Sequence, residues 1–263
     1  MSPALFDAHA HLCAPEFAHD LGAVLARAEA AGVCGVLAVG ETLEDAERTL
    51  ALADQQPMVK PAAGLYPTTL DRAAAEAVQS FIRRHAERLV AIGEVGLDRW
   101  KVKTEEEWRL QEELFAGFVA LALELDLPLN VHSRSAGRRA IALLKERGAR
   151  RVLMHAFDGK ASAALEGVRE GYCFSVPPSI LRSPQKQKLV GALPLECLVL
   201  ETDSPVLGPD PSTRNEPESL VIPCREIARL KGVSVEAVAR ITTDNARRLF
   251  PRAFAAEESR TGS

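Results

Sequence analysis

Eight short apolar runs, each followed by a longer stretch of helical periodicity, restrict what this chain can fold into. The runs lie at residues 4–6, 33–39, 59–65, 89–92, 127–131, 151–154, 172–176 and 197–200. Their near-continuous hydrophobicity is that of parallel strands buried on both faces. The clearest helix is predicted over residues 106–126, where Leu110, Leu114, Phe118, Leu121 and Leu125 form one apolar stripe and Pro128 marks the next strand. Helices are also expected over 20–31 and 138–147, ending at Gly32 and Gly148, and after Ser234, an N-cap for a stripe of Val235, Val238, Ile241 and Leu249. Eight such units in 263 residues match the roughly 250 residues of a (β/α)8 barrel. The expectation is a single α/β TIM barrel over residues 1–250, with a polar, frayed tail over 251–263.

Composition narrows the functional classes. The net charge is −4, so no global basic field gathers nucleic acid. Aromatic residues make up 5%, too few for a surface built from many base-stacking platforms. The five cysteines form no C-x-x-C pair, which suits a reducing compartment better than a disulfide framework. No apolar run approaches the ~18–20 residues of a membrane span, and the first residues lack the basic start of a signal peptide. A cytoplasmic or nuclear protein with no membrane partner is expected. Nothing fixes an oligomeric state, and a monomer is compatible with the sequence.

Six chemistry-bearing residues fall at the ends of predicted strands. His9 and His11 follow the first, Glu94 the fourth, His132 the fifth, His155 the sixth and Asp203 the eighth. Side chains two apart on a strand share a face, so His9 and His11 can both point into the barrel mouth, with Asp7 on the same face beside them. Active sites of this fold are built at that end. Burying four imidazoles with two acids and no cation would be costly. The set can hold two divalent ions, one carboxylate bridging: imidazole suits Zn²⁺, carboxylate and water suit Mg²⁺ or Mn²⁺. His19 and His85 lie in charged helical stretches and are assigned no role.

Around this set, Asp98 is expected either to orient a ligand or to cap a helix. Ser133 and Arg134 follow His132 and are candidates for phosphate contact. Arg182, Lys186 and Lys188 after the seventh strand read either as phosphate contacts or as a solvated helix face. Arg214 is placed where it can reach the same mouth, and Cys13 reads as a bystander.

Asp7-Ala-His-Ala-His11, Gly93-Glu-Val-Gly-Leu-Asp98, His132-Ser-Arg134, His155-Ala-Phe-Asp-Gly159 and Glu201-Thr-Asp-Ser-Pro205, in this order, resemble the TatD family of metal-dependent deoxyribonucleases. Arg214-Asn-Glu-Pro217 and Thr243-x-Asn245 extend the likeness to about residue 250, and residues 129–137 and 176–183 resemble one eukaryotic branch of it. The resemblance implies a barrel of the amidohydrolase-like type. It also implies that His9, His11 and Asp203 serve one ion and His132 and His155 a second, with Glu94 bridging. It further implies phosphodiester hydrolysis on DNA, most simply from 3′ ends, with Asp203 and Glu94 catalytic and Arg134, Tyr66 and Ser133 at the phosphate. Tyr66 is a departure: the family usually carries G-x-H-P where this chain has Gly64-Leu-Tyr-Pro67. Two other readings remain at this stage, a hydrolase of a small ester, amide or phosphoester, and a metal-holding scaffold without turnover.

Overall fold

In the computed structural model, residues 4–255 are described. Strands and helices alternate as β1 (Leu5–Ala10), α1 (Leu21–Ala30), β2 (Val33–Ala38), α2 (Leu43–Gln55), β3 (Val59–Ala63), α3 (Arg72–Arg84), β4 (Ala91–Gly96), α4 (Glu105–Leu125), β5 (Leu129–His132), α5 (Gly137–Glu146), β6 (Val152–Met154), α6 (Ala161–Arg169), β7 (Cys173–Val176), α7 (Pro184–Ala192), β8 (Leu198–Leu200), α8 (Val221–Lys231) and α9 (Val235–Leu249). The strands close in sequence order into a parallel barrel, the expected (β/α)8 architecture. Local chemistry sets the helix ends. Thr104 and Glu107 form a reciprocal capping box at α4, and Ser234 accepts from Ala237 N at α9. No helix among the described residues is long and apolar enough to cross a membrane.

Alternation along the strands builds two apolar layers. Val36, Ala38, Ile92, Val131 and Met154 pack in one cluster with the helices, through residues such as Val78 and Phe118. Leu37, Ala62, Ala91, Leu153 and Val199 belong to a second, inner cluster that includes Phe6, Phe250 and Phe254. Phe254 lies 4.9 Å from Phe6, ring to ring, and residues 251–255 are helical. The packed chain therefore reaches beyond the boundary expected at residue 250. The rest of the expected tail, 256–263, lies outside the described residues.

Two strands differ from expectation in a way that matters for the site. β1 runs to Ala10 rather than ending at residue 6, and β4 runs to Gly96 rather than ending at residue 92. Both continue through residues that interrupt the apolar pattern, Asp7 and His9 in one and Glu94 in the other. The register of β1 against β2 also slips. Asp7 lies opposite Val36 and Ala10 opposite Ala38, so three steps on one strand span two on the other. Such a bulge breaks strict alternation, and the expected common face of Asp7, His9 and His11 does not hold for Asp7.

Gly96 shows how tightly the strands approach at this end. Its φ is +150°, and a Cβ built there would lie 2.0 Å from the carbonyl oxygen of His132. Gly148, also at positive φ, has open space around it. Gly96→Ala is expected to destabilise the fold by about 3 kcal/mol or more, the sum of backbone strain and overpacking. Gly148→Ala should cost about 1 kcal/mol. Chemical denaturation of the two variants in the presence of a chelator checks the contrast; equal losses would contradict it.

Candidate metal centre

All six predicted residues meet at the C-terminal mouth of the barrel, and their backbones are tied by continuations of the sheet. Asp203 N donates to His9 O (2.9 Å), His11 N to Ser204 O (2.8 Å), and His155 N to Val131 O (2.9 Å). Asp203 sits at φ +54°, a conformation that Asp tolerates better than most residues.

One group is compact. His9 Nε2 lies 3.2 Å from His11 Nε2, 3.4 Å from Asp203 Oδ1 and 3.7 Å from Glu94 Oε2. His11 Nε2 lies 3.3 Å from the same Asp203 oxygen and 3.6 Å from the same Glu94 oxygen. Donor atoms bound at 2.0–2.1 Å around a tetrahedral ion stand about 3.4 Å apart, so this group has the spacing of a coordination shell. The second group is looser. Glu94 Oε1 lies 2.6 Å from His132 Nδ1 and 3.9 Å from His155 Nε2. His132 and His155 stand 6.2 Å apart, ring to ring. The two oxygens of Glu94 thus face two different histidine pairs.

The outer contacts decide which ring nitrogen each imidazole offers. His9 Nδ1 meets Asn130 Oδ1 at 2.9 Å, while the Asn130 amide donates to Ala8 O. His155 Nδ1 meets Glu201 Oε2 at 2.7 Å, and Glu201 also accepts from Ser175 and from Ala156 N. In both rings Nδ1–H is engaged and Nε2 is turned to the centre, the arrangement of imidazoles held for a metal. His132 Nε2 lies 3.2 Å from Asp98 Oδ2, leaving Nδ1 toward Glu94. Asp98 caps no helix, since Thr104 caps α4; its Oδ1 accepts from Trp100 N and Lys101 N at 2.7 Å each and holds a turn, while Oδ2 faces His132.

The electrostatics fit a cation site. Burial opposes charge on Glu94, yet the hydrogen bond and charge of His132, with His9 and His155, hold its carboxyl well below the usual range. Asp203 is likewise held far down against its burial, by His155, His11 and His9. Burial also opposes a proton on His9, but the Asp203 hydrogen bond and the Glu94 charge outweigh it and raise the ring to about 10. His132 is raised to about 9 against burial, by Asp98 and Glu94. Without a metal ion, protons on imidazoles must supply the positive charge these buried carboxylates demand. A divalent ion would replace them.

A cavity of about 650 Å³ opens over the centre. Tyr66, Ser133, Arg134 and Lys186 line it with His11 and Asp203. The buried Ser133 hydroxyl has no hydrogen-bond partner among the described residues. Lys186 is not the solvated helix residue considered for it; Nζ donates to Ala156 O at 3.0 Å. Lys188 is exposed and Arg182 donates to Gly208 O; neither lines the cavity. Arg214 does not reach it either. It is held by Asp20 and Glu216 and lies over Phe17. Asp7 meets His9 through the backbone N–H of that residue and not through its ring. It accepts from Thr202 N and Oγ1 and from His9 N, and burial raises its pKa to about 7.

Comparison with known proteins places this geometry. Residues 6–251 match the family described as TatD related DNase. The chain is 46% identical to human deoxyribonuclease TATDN3, covering 94% of this chain and 95% of that one. It is 34% identical to the Erwinia tasmaniensis protein named 3′-5′ ssDNA/RNA exonuclease TatD, covering 94% and 99%. The chain belongs to the TatD-related DNase family. The crystal structure of the TatD homolog YJJV from Escherichia coli superposes with a TM-score of 0.87 at 29% identity, covering 94% of this chain and 98% of that one.

Tyr66 sets its ring edge-on to His132 at 5.3 Å. Burial, with Glu94 and Asp98 nearby, pushes its phenol well above the ordinary range, so it stays a neutral donor. Three residues were not assigned from the sequence. Asn130 lies two positions before His132 in a run that reads as plain strand. Glu201 sits inside a quoted motif, two positions before Asp203. Glu41 follows β2 as Glu94 and Asp203 follow their apolar runs, and its Oε1 is 4.0 Å from His11 Nδ1. Glu201→Gln removes one strong acceptor while keeping the side chain's shape. It should weaken divalent-ion affinity by roughly 10–100-fold, as measured by calorimetric titration. Unchanged affinity would show that Glu201 does not orient a ligand.

Proposed function

We propose that this protein is a divalent-metal-dependent deoxyribonuclease that removes nucleotides from the 3′ end of DNA. The observation that carries this reading is the division of the Glu94 carboxylate between two histidine pairs. In this reading His9, His11 and Asp203 would hold one ion and His132 and His155 a second, with Glu94 available to both. Zn²⁺, Mg²⁺ or Mn²⁺ bound there would acidify water and neutralise charge on the phosphoryl oxygens. Membership in the TatD-related DNase family and the printed names of the relatives support DNA as the substrate.

The chain's own groups have separable tasks. Asp203 is ionised and faces His155 at 3.8 Å through Oδ2. It accepts the proton of the attacking water and passes it toward the leaving 3′ oxygen. Arg134 reaches the phosphate from the rim as a two-pronged donor. Tyr66 donates from a neutral hydroxyl, and Ser133 offers a hydroxyl that has no partner among the described residues. Lys186 lines the same cavity from α7, and burial lowers its pKa.

The test is hydrolysis of internally and 3′-labelled single-stranded DNA with Mg²⁺, Mn²⁺ or Zn²⁺. Loss of 3′ nucleotides one at a time is expected, abolished by chelator. Glu94→Gln should lower kcat/KM by about 10³-fold or more, the several kcal/mol of transition-state stabilisation that a metal pair supplies. Cleavage that survives both chelation and Glu94→Gln contradicts the reading, as does turnover of small esters with DNA untouched.

A further inference from the structure

Trp100 is the most exposed of the large apolar side chains among the described residues, at 57%, and it stands beside the catalytic cavity. Arg134, which lines that cavity, places its guanidinium 5.2 Å from the Trp100 ring centre, and Lys103 Nζ lies 5.4 Å from it. Lys101 Nζ lies 5.2 Å over Tyr66 on the cavity wall. An exposed indole flanked by cations has the chemistry that single-stranded nucleic acid needs: a π-face for a base and charge for its phosphates.

The loop that carries Trp100 is fixed to the centre. Asp98 holds it through Oδ1, which accepts from Trp100 N and Lys101 N, while Oδ2 of the same carboxylate faces His132. Arg99 N donates to Arg134 O at 3.0 Å, joining the two loops that supply the indole and the guanidinium. Trp108 Nε1 donates to Val102 O and pins the far side of the loop. A second depression, which meets the first at Asp158, is lined by Arg138 and Lys160. Neither of these cations has a carboxylate partner among the described residues. Charge therefore continues along the surface past the rim.

We infer that Trp100 and Arg134 form a shelf on which a base of single-stranded DNA stacks next to the scissile phosphate, so that the enzyme grips an unpaired 3′ end through its bases as well as its backbone. This inference rests on the nuclease reading. The shelf is local, which is why a chain with few aromatic residues and an acidic net charge can still carry it.

The test uses the metal-loaded enzyme and a single-stranded DNA decamer whose 3′ linkages are phosphorothioates, compared with a decamer whose last three nucleotides lack bases. Trp100→Ala should weaken binding of the first by about 5- to 100-fold, with Trp100→Phe recovering most of it. On the base-less strand wild type and Trp100→Ala should bind alike. With a cleavable strand, Trp100→Ala should raise KM and leave kcat within about twofold. Equal affinity of wild type and Trp100→Ala for the complete decamer overturns the shelf. So does an equal loss on both strands, which would mark Trp100 as a support of the loop only. If wild type cleaves DNA and these results are obtained, the shelf falls and the nuclease reading stands. If wild type neither binds nor cleaves DNA, both fall.

Discussion

A single buried carboxylate, Glu94 at 1% exposure, sets the terms for the upper half of this barrel. An ionised acid in such a place is unfavourable without positive charge around it. The chain supplies that charge with imidazoles from three other strands or their ends: His9 and His11, His132, and His155. Their approach needs close packing of backbones, which glycines permit. A Cβ at Gly93 would fall 2.6 Å from that of Asn130, yet Asn130 must be there to hold His9. The residues that make the site possible are therefore partly residues with no side chain at all.

The barrel interior divides along its axis. One end is filled by Phe6, Leu37, Leu153 and Val199 and closed by Phe250 and Phe254. The other end is given to polar groups, each with a named partner: Asp7 with Thr202, Asn130 with Ala8 O, Glu201 with Ser175 and Ala156 N. The apolar end supplies burial free energy, and these polar groups are satisfied by one another and by the backbone. Among the described residues, Ser133 Oγ is one of two buried side-chain polar atoms without a partner, and it lines the cavity.

The fold was legible in the sequence because parallel strands buried on both faces advertise themselves as apolar runs. The six central residues were legible because they recur at one place relative to those runs. What the pattern concealed follows from the same chemistry. In the pattern Asp7, His9 and Glu94 look like strand endings, although β1 and β4 run on through them. The bulge between Asp7 and Ala10 leaves no periodic trace, so alternation alone puts Asp7 on the face of His9 and His11. Asn130 and Glu201 act through ring nitrogens of distant histidines, and sequence spacing carries no record of such pairings. Lys186 looks like a surface lysine until α7 is seen to lean over the cavity.

The central claim is that Glu94 stands between two ion positions. Anomalous diffraction at the metal edge, from crystals grown with Zn²⁺ or Mn²⁺, tests it most directly. Two peaks are predicted, one touching His9, His11 and Asp203 and the other touching His132 and His155, each within coordination distance of a different Glu94 oxygen. An absence of ions from this mouth under saturating metal, or ions bound with Glu94 uninvolved, would contradict the account.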